Sequence, residues 1–222
     1  MSTLIQSLDE LKAPGAKPAL PEWALSLRSR GLDQFTNHGL PHRRLEAWKY
    51  TPLDGLDKAV KGLGQPGQET QDAAHLDIDN ALRLVFTDGA VQDVPHELPE
   101  GIQILPLAEA LGADDGSLQA QLEALDTGQP ADAMAALNSA TLAHGVVVRV
   151  SPGVDAGTVL AQWRNAPADS SALFNSRIII QLGAGASLQW VEHQRLDQAL
   201  NLVTQVSLEP GSSFSHARLQ DN

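Results

Sequence analysis

The sequence predicts an α+β protein in which a helical N-terminal region precedes a core of stacked β-strands. Three observations carry that class. Apolar residues recur at helical spacing up to Phe35, the pattern changes to strict alternation after Gly145, and from there a strand-turn-strand unit recurs three times with glycine in each turn.

The elements follow in order. Leu4, Ile5, Leu8 and Leu11 share one helical face, and the run stops before Pro14. A second helix has Pro21 at its first position, buries Ala24, Leu27 and Phe35, and closes at Gly39. Thr51, Pro52 and Asp54 predict a third, with threonine as cap and the acid at the third helical position. The stretch from Gly62 to Ala74, rich in Gly, Gln and Pro, marks a boundary, which divides the chain into a helical region 1–62, a linker 63–75, a mixed segment 76–145 and the strand core 146–222. In the mixed segment, Leu82 to Thr87 reads as a strand ending in the Asp88-Gly89 turn, and Gly101 to Leu105 as another. Leu118, Leu122 and Leu125 mark a short helix after Ser117, and Asp132 to Ala143 a longer one closed by Gly145. In the core, the turn glycines Gly153, Gly185 and Gly211 are 32 and 26 residues apart, the irregular period of a repeat that stacks into a β-helix or a sandwich. No capping element follows the third copy, so the chain is expected to be the N-terminal piece of a longer protein.

Charge and composition remove several functions. The chain has 222 residues, 42% hydrophobic and 19% charged, which is the make-up of a folded domain. With no cysteine it holds no disulfide, thiolate nucleophile or cysteine-ligated metal of its own. A net charge of −12 and only 4% aromatic residues argue against nucleic acid or an anionic membrane as partner. The charge is also segregated: residues 1–62 carry nine Lys/Arg against seven Asp/Glu, whereas 63–222 carry six against twenty. The acidic start and the short apolar runs fit an unexported, cytoplasmic protein.

No catalytic constellation emerges, so the expected catalytic, cofactor and metal residues are none. Gly183-Ala184-Gly185 reads as a plain turn, because a strand rather than a helix continues from Leu188. His38 and His42 have metal-ligand spacing, but Gly39 and Pro41 break the helix between them. His193 and His216 fall on opposite faces of an extended alignment. Glu192 is expected on a solvated face, and only a meeting of Glu192, Asp197 and Glu209 on one concave surface would support the alternative of a β-helix carbohydrate-active enzyme; an interaction module of unknown partner is the other alternative. Arg43, Arg44, Lys49, Trp48 and Tyr50 are expected to form a folded corner with buried rings, in which Trp48→Ala would cost about 3–5 kcal/mol.

The segment Gly39 to Leu53, GLPHRRLEAWKYTPL, resembles the N-terminal signature of the SufB/SufD family of the Suf iron-sulfur cluster assembly system. The matching positions are Gly39, Pro41, Arg43, Glu46, Trp48, Lys49, Tyr50 and Thr51, preceded by Phe35, while His42 replaces a small hydroxyl residue. Ala136 to Val150 resembles the family's entry into its core, and Ile178 to Gln220 its β-helix. The resemblance implies a right-handed parallel β-helix core, here truncated at its C-terminal end, in a non-catalytic scaffold subunit. It implies a SufB-like paralogue and a SufC-like ABC-type ATPase as partners, with ATP hydrolysis in the latter. An iron-sulfur cluster would be a transient cargo of the assembled complex, with no cofactor bound by this segment. The motif residues would be structural, and a homodimer through an exposed strand edge is a further expected partnership.

Overall fold

Local sequence decides the helices, with corrections at their ends. The computed structural model describes residues 3–10, 20–53, 55–65, 76–113, 116–165 and 171–221. Helix α1 (Thr3–Glu10) buries Leu4 and Leu8 as their spacing requires, and Leu11 lies outside the described residues. Helix α2 (Glu22–His38) begins one residue later than expected, with Pro21 extended and its carbonyl accepting from the Ala24 and Leu25 N–H groups. It ends at Gly39, whose positive φ of 64° turns the chain while its N–H donates to the Phe35 carbonyl at 2.7 Å. Besides Ala24, Leu27 and Phe35, this helix buries Gly31. A Cβ at Gly31 would lie 2.6 Å from the Ala136 carbonyl oxygen, so a mid-helix glycine is the condition for close contact with a later helix. Thr51 does not cap the third helix. Its N–H closes a turn onto the Trp48 carbonyl, and α3 (Leu56–Ala59) is a single turn that starts after Gly55.

Strand β1 (Gly62–Leu63) is followed by the expected hairpin of β2 (Leu82–Thr87) and β3 (Ala90–Asp93), whose turn holds Asp88 and Gly89 at φ 51° and 85°. Strand β4 (Ile102–Pro106) runs into α4 (Leu107–Gly112), which the sequence pattern did not reveal, and then comes α5 (Gly116–Glu123). Helix α6 (Ala133–Ala140) stops short of the expected end in a tightened turn, where the Thr141 N–H donates to the Leu137 carbonyl and the Leu142 N–H to that of Ser139. Gly145 therefore caps no helix. It opens β5 (Gly145–Val150), which leads to β6 (Asp155–Arg164), β7 (Ala172–Leu182), β8 (Ser187–Arg195), β9 (Ala199–Leu208) and β10 (Ser213–Gln220).

These six strands alternate between two sheets. In one sheet β5, β7 and β9 pair in parallel, with β4 antiparallel on β5; in the other β6, β8 and β10 pair in parallel, extended by β2 and β3. Register follows the sequence period. Gly145 pairs with Arg177 and Asp155 with Ser187, both 32 apart, while Leu173 pairs with Ala199 and Ser187 with Ser213, both 26 apart. The turns stack too: the Gly153 N–H donates to the Ala184 carbonyl and the Gly185 N–H to that of Pro210. The result is a mixed α/β fold with two mostly parallel sheets, neither of which closes into a barrel among the described residues.

The inner faces enclose a core of Leu84, Phe86, Val146, Val148, Ala161, Trp163, Ile178, Ile180 and Trp190. On the outer face of the β5–β7–β9 sheet, Val147 and Ile179 pack against Leu27, Leu111, Leu118 and Leu122 of the helices. A buried polar seam joins α6 to that sheet. Asn138 donates to the Ser176 and Asn201 carbonyls, both at 2.9 Å, and accepts from Arg177 Nε at 2.7 Å. Arg177 also donates to Gln205 Oε1 and Ser139 Oγ, and with no carboxylate among these partners burial pushes its guanidinium down to about 9. No helix among the described residues is long and apolar enough to cross a membrane.

Candidate functional site

The interior of the strand stack changes character along its length. Three inward columns run across β2, β6, β8 and β10. Leu82 is followed by Val159, Trp190 and His216; Leu84 by Ala161, Glu192 and Arg218; Phe86 by Trp163, Gln194 and Gln220. The first two members of each column are apolar, and in β8 and β10 the polar side chains Glu192, Gln194, His216, Arg218 and Gln220 follow, while Leu188, Trp190 and Phe214 keep the other end of those strands apolar. Glu192 is thus a buried interior residue, not the solvated one the sequence reading expected: the alternation Leu188, Trp190, Glu192 carries it inward.

A fully buried carboxylate must be met by donors. Four converge on it. Arg218 Nε donates to Oε2 at 2.7 Å and Gln194 Nε2 to the same oxygen at 2.9 Å, while Trp190 Nε1 donates to Oε1 at 3.1 Å and His216 Nε2 lies 3.2 Å from it. Gln220 donates to Gln194 Oε1 at 3.0 Å, extending the network along β10. With both oxygens engaged by protein groups, the cluster is built as a clasp between β8 and β10 rather than as a free base. Arg218 is 41% exposed, which weakens its share of the clasp. In a double-mutant cycle, Arg218→Met and Glu192→Gln are expected to show a coupling of about 1 kcal/mol in chemical denaturation. Strict additivity would mean that the pair does not form.

His193, as expected, faces away from His216. Its Nε2 lies 2.8 Å from Asp221 Oδ2 on the outer face. Among the described residues no three metal-ligating side chains cluster. The three carboxylates of the carbohydrate-enzyme alternative are not brought together: Glu192 is interior, Asp197 lies in the loop before β9, and Glu209 lies in the turn after it. A ten-residue strand separates the last two, on the order of 30 Å. Sequence reasoning had the means to find the clasp, because Arg218 stands 26 residues after Glu192, the period read from the turn glycines.

The motif residues form the second region. Gly39 caps α2 and Pro41 is buried, but Arg43, Glu46, Lys49, Tyr50 and Thr51 are exposed and Trp48 is only half-buried. The expected burial of the rings is therefore corrected. Residues 46–48 form a 3-10 turn with Trp48 tied by its Nε1 to the Ala131 carbonyl at 2.8 Å, and Tyr50 is left 87% exposed. With part of its surface still in water, Trp48→Ala is expected to cost about 1–2 kcal/mol, read from the urea midpoint, instead of the cost of a core tryptophan.

No family model matches the chain. It is 34% identical over 100 residues to the iron-sulfur cluster assembly protein SufD of Escherichia coli (strain K12). The alignment covers 40% of this chain and 23% of that protein. This likeness supports a relationship at the level of the SufB/SufD family.

Proposed function

We propose that the chain belongs to a SufD-type, non-catalytic scaffold subunit that works with a SufB-like paralogue and a SufC-like ATPase in building iron-sulfur clusters. The observation that carries this is the 34% identity to SufD. The strand stack supports it in kind: the 32- and 26-residue parallel registers suit the first coils of a right-handed β-helix. Within the family, the absence of cysteine favours the SufD branch over a cluster-ligating one. The chain would then have a shape-giving role, with Glu192 sequestered among donors that hold β8 to β10 and the cluster as cargo of the complex.

Affinity capture of the tagged gene product from its own cells tests the proposal. A SufB-like protein and an ABC-type ATPase are expected in the eluate at comparable amounts. Recovery of the chain without either one rejects it.

A further inference from the structure

No further inference is drawn: the strongest candidate, the groove of about 820 Å³ between α5 and the ends of β5, β7 and β9, carries nothing, because β9 pairs on one side only among the described residues and nothing in the structure shows what covers it there.

Discussion

Gly145→Ala is expected to destabilise the chain by about 4 kcal/mol, a large share of the roughly 5–15 kcal/mol that holds an ordinary domain together. Two separate costs add. Gly145 has a φ of +129°, where an L side chain is strained by about 1–3 kcal/mol. A Cβ placed there would also lie 1.8 Å from the Arg177 carbonyl oxygen and within 2.8 Å of its N and C atoms. Those are backbone atoms, so no rotamer change relieves the clash. Strand β7 would have to move, and it is held by β5 and β1 along one edge and β9 along the other, while its Arg177 N–H is bonded to the His144 carbonyl. Forced overpacking of this kind costs about 1–3 kcal/mol more. Gly112→Ala is the matched control, because nothing lies within 4 Å of its Cβ position and its φ is not positive. Urea denaturation followed by circular dichroism should show a large drop in midpoint for the first variant and none for the second. Equal midpoints would mean that β5 does not enter the sheet against Arg177.

The same residue shows why the sequence was legible in some places and misleading in others. Glycine after a helix suggested a cap, since that is its commonest use near helix ends. What decides its role is a strand 32 residues later, which no local window contains. The strand core was legible because its information is local and repeated: alternation sets which face each residue takes, and turn glycines set the period. Both carried through to the registers of 32 and 26. Glu192 was misread because residue type was weighed above phase. Charge argued for solvent, whereas position two steps after Trp190 placed it inside with His216 and Arg218 as neighbours. Trp48 failed in the reverse sense: size argued for burial, but a short 3-10 turn has too little surface to cover a ring. Helix α4 was missed because six residues following a strand give no helical period to read.

The two interior tryptophans make a second large-effect test, in which one substitution has unequal costs at two sites. Trp163 and Trp190 are both buried on the inward face of neighbouring strands. Trp163 stacks on Phe86 with centroids 4.0 Å apart and planes 12° from parallel, so Trp163→Ala removes a large side chain together with its stacking partner's contact and should cost about 3–5 kcal/mol. Its indole N–H, however, is buried without a hydrogen-bond partner among the described residues. Leaving a donor unmet costs about 1–3 kcal/mol, so Trp163→Phe keeps most of the stacking, deletes that donor and should cost about 1 kcal/mol or less. At Trp190 the balance reverses. That N–H donates to Glu192 Oε1 at 3.1 Å, and Trp190→Phe both leaves space and strips a donor from a fully buried carboxylate. Its cost should exceed that of Trp163→Phe by about 1–3 kcal/mol, the difference between removing an unmet group and creating one. Comparing the two phenylalanine variants by thermal unfolding isolates this difference. If they lose stability equally, the Glu192 clasp does not depend on Trp190, and the polar half of the interior must be held by Arg218 and Gln194 alone.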